Sequence, residues 1–221
     1  MSIADNITTV RRRIAAACER AGRPPDEVTL IGVSKGVPAD AIAEAVAAGL
    51  ADIGENRVQE AAAKIEALSR RGIMPRWHLV GHLQTNKAKI AANLFAIIHS
   101  VDSLRLAQEL SRRAQRVGIL LEVNAAQEAS KFGFAPKEVA PALSSIASLP
   151  HLDVQGLMTV APQSHDPEAV RPVFRELRQL RDALGLRELS MGMTDDFEVA
   201  IEEGATMVRV GRAIFGERTG P

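Results

Sequence analysis

Two kinds of segment alternate along this chain. Short apolar runs rich in Val, Ile and Leu predict buried strands, and longer stretches with apolar residues three and four apart predict amphipathic helices. An opening helix over residues 3–22 is stopped by Gly22 and Pro24-Pro25. Strands are predicted after it at 28–35, 52–56, 77–82, 96–102, 119–124, 154–159, 188–193 and 207–212. Helices fill the intervals at 38–48, 57–70, 86–93, 103–116, 136–148, 167–184 and 195–203. Several begin on a cap or a proline, among them Pro38, Asp102 or Ser103, Pro136, Asp166-Pro167 and Thr194. Gly49, Gly118, Gly185 and Gly204 stand where helices should stop.

Strict alternation of strand and helix implies a parallel sheet. Eight such units in 221 residues predict an α/β fold of the (β/α)8 TIM-barrel type with an extra N-terminal helix. The rival, an open doubly wound sheet, would carry a Gly-x-Gly-x-x-Gly turn after its first strand. Val33-Ser-Lys-Gly-Val-Pro has none. No linker, repeat or low-complexity segment interrupts the pattern, so residues 1–221 are expected to form one domain.

The working face of such a barrel lies at the C-terminal ends of its strands. The predicted strands place Ser34, Lys35, Glu55, Asn56, His82, Asp102, Asn124, Met158, Thr159, Met193, Thr194, Gly211 and Arg212 there. Lys35 closes an otherwise apolar run and shares a strand face with Ile31 and Val33. If that face is inward, desolvation frees the amine for attack on a carbonyl; if not, Lys35 simply ends the strand in water. Arg209 alternates with Val208 and Val210, which suit the outer wall, so Arg209 should face inward and needs a carboxylate or a ligand acceptor. Ser190-Met-Gly-Met-Thr-Asp-Asp and Gly211-Arg-Ala-Ile-Phe-Gly follow the last two strands. The backbone N–H groups of Gly211 and Arg212, with the Thr194 hydroxyl, suit a phosphate there, provided Asp195 and Asp196 turn away. Lysine, arginine and cradle together fit a phosphorylated carbonyl compound held as a Schiff base. Two readings fit: a class I aldolase acting on a sugar phosphate, or a protein carrying pyridoxal phosphate.

Composition narrows the field. Hydrophobic residues make up 46% and charged residues 24%, the balance of an ordinary soluble globular chain. Lys plus Arg (27) cancels Asp plus Glu (27), so no field draws the chain to nucleic acid or to an anionic membrane. No apolar run reaches the roughly 18–20 residues of a membrane span, and the first residues lack a basic-then-apolar signal pattern, which points to the cytoplasm. Cys18 is the single cysteine, excluding an internal disulfide. His78, His99, His151 and His165 show no metal-ligand spacing, and no metal is expected. The sequence contains no tyrosine, which removes the phenol from any set of catalytic groups.

Several motifs are long and distinctive. Val33-Ser-Lys, Gly54-Glu-Asn-Arg-Val-Gln-Glu, Trp77-His-Leu-Val-Gly-His-Leu-Gln-Thr-Asn-Lys, Ser190-Met-Gly-Met-Thr-Asp-Asp and Met207-Val-Arg-Val-Gly-Arg-Ala-Ile-Phe-Gly occur in that order. Over nearly the whole chain they resemble the pyridoxal phosphate homeostasis family, whose barrel is similar to the N-terminal domain of alanine racemase. The resemblance implies a Schiff base on Lys35, a phosphate site at Thr194, Gly211 and Arg212, and Arg209 against the pyridine nitrogen. It further implies that Asn56, His82, Met158 and Ser190 line the pocket. Many relatives carry Ser at the position of Thr194, which keeps the hydroxyl. Thr or Ser is frequent at the position of Arg212, where only the backbone contact is kept.

The expectation is therefore a monomeric carrier that buffers pyridoxal phosphate or delivers it to apoenzymes. The racemase's second acid–base is a tyrosine from the other subunit, and this chain has no tyrosine. An arginine against the ring nitrogen cannot protonate it, which weakens carbanion chemistry. His82 could serve as a second base, although packing beside the cofactor is its expected role. For Glu55 and Asp102, loop positioning outweighs general-base chemistry. The alternatives are a weak amino-acid racemase, the aldolase, and a regulatory module recognising a partner protein.

Overall fold

The computed structural model describes residues 2–126 and 132–216. Its first element, α1 (Ile3–Arg20), starts on a reciprocal cap: the Asp5 N–H donates to Ser2 Oγ at 3.1 Å and the Ser2 N–H to Asp5 Oδ2 at 3.0 Å. Its buried stripe, Ile7, Val10, Ile14, Ala17 and Cys18, has helical spacing.

Eight strands follow: β1 (Thr29–Val33), β2 (Asp52–Glu55), β3 (Arg76–Leu79), β4 (Ile97–Val101), β5 (Val117–Glu122), β6 (Leu152–Met158), β7 (Glu188–Ser190) and β8 (Met207–Val210). They pair in sequence order, all parallel where paired, and β8 pairs back onto β1 to close the barrel. The crossovers are α2 (Ala39–Ala47), α3 (Val58–Ser69), α4 (Ala88–Leu94), α5 (Leu104–Arg113), α6 (Pro136–Ala147), α7 (Arg171–Ala183) and α8 (Phe197–Glu202), and α9 (Arg212–Phe215) follows β8. The predicted (β/α)8 TIM barrel with its N-terminal helix is the observed fold, and α1 packs on α8 and α9.

Alternation along the strands separates two apolar regions. Ile31, Ile97, Leu120, Met158 and Met207 fill the barrel interior. Their strand neighbours, such as Ile53, Leu79, Ile98, Leu121, Leu189 and Val208, pack outward with the helices. Each inward position at a C-terminal strand end is thereby aimed at the mouth.

Some boundaries differ from the sequence reading. The helix expected at 195–203 starts at Phe197, because Thr194, Asp195 and Asp196 are taken up by a turn in which the Met193 N–H donates to Asp196 Oδ1 at 2.6 Å. Gly118 is no helix stop but lies inside β5, since α5 already ends at Arg113. Ser103 is the cap of α5: its Oγ accepts the Leu106 N–H at 3.3 Å and donates to Asp102 Oδ1 at 3.0 Å. Ser103→Ala is expected to cost about 1 kcal/mol, seen as a melting point lower by about 2–4 °C. An unchanged melting curve would show that the cap contributes nothing. Among the described residues no helix is long and apolar enough to cross a membrane, and no group of three or more His, Cys, Asp or Glu could hold a metal ion.

Candidate functional site

Ile31 lies in the barrel interior, but β1 ends at Val33, short of the predicted 28–35. Lys35 stands beyond it at the mouth, in the turn that the Val37 N–H closes on the Ser34 carbonyl at 2.9 Å. Gly36, at φ +73°, turns the chain immediately after Lys35. The Ser34 Oγ donates to Glu55 Oε1 at 2.5 Å. Lys64 Nζ on α3 completes that cluster, donating to the Ser34 carbonyl at 2.6 Å, to Glu55 Oε1 at 2.6 Å and to Glu60 Oε1 at 2.7 Å. Burial pushes the Glu55 carboxyl up, while Lys64 and Ser34 hold it down. Glu55 thus braces the β1–α2 turn from outside the barrel wall. The two lysines are sharply distinguished: Lys64 is fully paired, whereas Lys35 makes no hydrogen bond or ion pair among the described residues. Lys35 opens on a cavity of about 500 Å³ shared with Val33, Gly211, Arg212 and Phe215.

Arg209 is inward, as its alternation with two valines predicted, and is 4% exposed. Its partners are neutral oxygens: Nη1 donates to Ser190 Oγ at 2.6 Å and Nη2 to the Thr159 carbonyl at 2.7 Å. The Thr159 hydroxyl in turn donates to the Val123 carbonyl at 2.8 Å, tying β6 to the loop after β5. Burial pushes the guanidinium down to about 10, with Asp196 and Glu122 opposing, so it remains a cation at neutral pH. Register places Arg209 beside Ile31 on the neighbouring strand.

The rim beyond β7 and β8 carries Thr194, Gly211 and Arg212. Gly192, at φ +90°, makes the turn out of β7, and a Cβ there would lie 2.6 Å from that of Ala200. Arg212 donates to both carboxylate oxygens of Asp195, at 2.6 and 2.5 Å. The acidic pair that argued against an anion is accordingly occupied: Asp195 by Arg212, Asp196 by the Met193 N–H. The N–H groups of Gly211 and Arg212 stand at the start of α9, where the helix supplies no acceptor. A second cavity of about 850 Å³ includes Thr194, Asp195, Asp196 and Arg212, so Arg212 stands between the two.

Opposite this rim, His82 Nδ1 lies 3.2 Å from Asp102 Oδ2, and its ring stacks on Phe132 with centroids 3.8 Å apart. Asn56 follows β2, and Gly81 lets its backbone approach, since a Cβ at 81 would meet the Asn56 carbonyl at 2.4 Å. Met158 is buried in the barrel interior. Neither Asn56 nor His82 lines the two cavities around Arg212.

Sequence reasoning missed Glu122. It closes β5 on the same face as Leu120, and its Oε2 is buried without a hydrogen-bond partner. Burial and neighbouring Asp102 push its carboxyl up to about 7, against the pull of Arg209. The signal was available: a lone charge ending an apolar strand, the same pattern that marked Lys35. His78 and His99, set aside for want of metal spacing, are also inward and completely buried.

The family model described as alanine racemase, N-terminal domain, matches residues 4–219. The pyridoxal phosphate homeostasis protein of Aquifex aeolicus is 46% identical over 228 residues, covering 99% of each chain. That of Escherichia coli K12 is 43% identical over 230 residues, covering 98% of this chain and 97% of its own. Among solved structures, PipY of Synechococcus elongatus with PLP bound superposes with a TM-score of 0.83 at 37% identity, over 97% of this chain and 100% of PipY. With one barrel matched along its full length by such relatives, the chain belongs to the pyridoxal phosphate homeostasis protein family, built on the barrel of the alanine racemase N-terminal domain.

Proposed function

We propose that this protein holds pyridoxal 5'-phosphate as a Schiff base on Lys35 and buffers or delivers it within the cell, with little or no turnover. The carrying observation is a buried, inward Arg209 on β8 and, just past the end of neighbouring β1, a Lys35 that has no polar partner among the described residues and shares a cavity with Gly211 and Arg212. The residues present fit the group. The 500 Å³ cavity joins Lys35 to Gly211 and Arg212, and the Arg212–Asp195 pair lowers the repulsion a phosphate would meet there.

When bound, pyridoxal phosphate supplies an aldehyde that condenses reversibly with amines. Lys35 is the amine this chain offers. Thr194, Gly211 and Arg212 would hold the phosphate. Arg209 would donate to the ring nitrogen and, as a permanent cation, would not give up its proton, so a bound ring would be a poor electron sink. Asn56, His82, Met158 and Ser190 would line the ring's side of the site, with Ser190 acting through Arg209. With no tyrosine in the sequence, the chain offers no phenol as a second acid–base.

The whole chain is read as one binding domain acting as a cytoplasmic monomer, with apoenzymes as recipients. Its single cysteine, a buried free thiol, suits a reducing compartment.

The test is an absorbance spectrum before and after borohydride, followed by peptide mapping. A visible band lost on reduction, with the cofactor mass on the Lys35 peptide, is expected. A colourless protein that pyridoxal phosphate cannot reconstitute would overturn the reading in favour of the aldolase.

A further inference from the structure

A line of hydrogen bonds crosses the barrel interior from its N-terminal end to Arg209. At the base, Asp52 Oδ1 accepts from Arg76 Nε at 2.5 Å and meets His78 Nε2 at 2.8 Å. His78 Nδ1 lies 3.0 Å from His99 Nε2, and the two rings meet edge-on with centroids 5.2 Å apart. His99 Nδ1 lies 2.8 Å from Ser190 Oγ, and Ser190 Oγ accepts from Arg209 Nη1 at 2.6 Å. His78, His99 and Ser190 are completely buried.

Chemistry at the two ends leaves one arrangement of protons. Burial drives both imidazoles toward the neutral form, His99 well below its ordinary value, while His78 and Arg76 keep Asp52 ionised. An ionised carboxylate only accepts, so His78 carries its proton on Nε2. Its Nδ1 must then accept, which puts the His99 proton on Nε2. The His99 Nδ1 lone pair takes the Ser190 hydroxyl proton, and the serine oxygen is left facing Arg209 as an acceptor. A guanidinium only donates, so the two ends agree. No member of the line is left with a spare proton or an empty lone pair along it.

We propose that Asp52, His78, His99 and Ser190 are positioning residues that lock the orientation of Arg209, so that its remaining N–H donors are presented to the ring nitrogen of the bound cofactor. This rests on the pyridoxal phosphate reading above. Two anchors, Ser190 Oγ and the Thr159 carbonyl, hold the guanidinium plane, and two of its five donors are spent on them. The Thr159 anchor is main-chain and permanent. The Ser190 anchor accepts from Arg209 only while the serine proton points at His99, and Asp52 enforces that through the two histidines. An amide at position 52 can donate as well as accept, so Asp52→Asn frees the histidine protons to move to Nδ1; His99 then competes with Arg209 for the Ser190 oxygen, and the serine proton loses its acceptor.

The experiment compares wild type, Asp52→Asn and Ser190→Ala, titrated with pyridoxal phosphate and with its 1-deaza analogue, in which a carbon replaces the ring nitrogen. In each variant the affinity for pyridoxal phosphate is expected to fall about tenfold more than that for the analogue, the scale of one hydrogen bond to a charged group. An equal loss for both ligands, or no loss in either variant, would overturn the positioning role. Nitrogen-15 shifts of the cofactor-free protein supply a second readout. Wild type should show His78 and His99 both neutral and protonated on Nε2, with a mixture of tautomers in Asp52→Asn. Protons on Nδ1 in wild type would overturn the ordering. A wild-type protein that binds neither ligand would refute the cofactor reading itself, and the inference with it.

Discussion

Lys35→Ala is expected to abolish borohydride-stable attachment of pyridoxal phosphate while leaving the barrel folded. The covalent bond needs an amine at the mouth, and the neighbouring Lys64 cannot replace it. Its ammonium is saturated by the Ser34 carbonyl, Glu55 and Glu60, on the outer side of β1. The fold should tolerate the change because the Lys35 side chain makes no polar contact among the described residues. The adjacent turn is held by Ser34, Gly36 and Lys64 instead, with the Gly36 N–H donating to Glu60 Oε1 at 2.6 Å. Mass spectrometry after borohydride, beside a circular dichroism melt, separates the two parts. Stoichiometric trapped cofactor on the variant would remove Lys35 from the site. A lost melting transition would instead make Lys35 a structural residue.

Glu122→Gln is expected to stabilise the cofactor-free protein above neutral pH and to change little near pH 4.5. Burial and Asp102 raise the folded carboxyl from 4.5 to about 7, and Arg209 recovers only part of that shift. The folded state therefore holds more protons than the unfolded state between these values, so Glu122 lowers stability as pH climbs through the window. Gln mimics the neutral carboxyl and removes the dependence. After discounting for partial exposure, the gain at pH 8 is on the order of 2 kcal/mol, or about 4–8 °C in melting temperature. The measurement is the difference between variant and wild-type melting temperatures at pH 4.5 and at pH 8. A difference that does not grow with pH would mean that Glu122 ionises as freely folded as unfolded.

The strand order and the inward faces of β1 and β8 were legible because alternation is a local property. Valines on both sides of Arg209 put it inside, whereas β1 ends at Val33 and Lys35 lies in the turn beyond it, where alternation no longer speaks. Helix starts were less legible where a side chain competed with the helix for its first turn. Asp196 spends its carboxylate on the Met193 N–H, and the helix expected from residue 195 waits until Phe197.

The partners of these residues lay beyond any local pattern. The expected partner of Arg209 was a carboxylate or a ligand, and the structure supplies a serine 19 positions away and a main-chain carbonyl 50 positions away. His78 and His99 showed no spacing of interest, yet they meet ring to ring and link β2 to β7. Glu122 closes an apolar strand as plainly as Lys35 follows one, but only the barrel shows that its second oxygen is buried without a hydrogen-bond partner among the described residues. The sequence by itself determined the eight alternating units and the family, since each rests on short-range periodicity or contiguous motifs. Closure of the sheet decided the rest: it brings inward side chains from strands far apart in the chain into one desolvated interior, where burial sets their protonation and leaves each donor only the acceptors within reach.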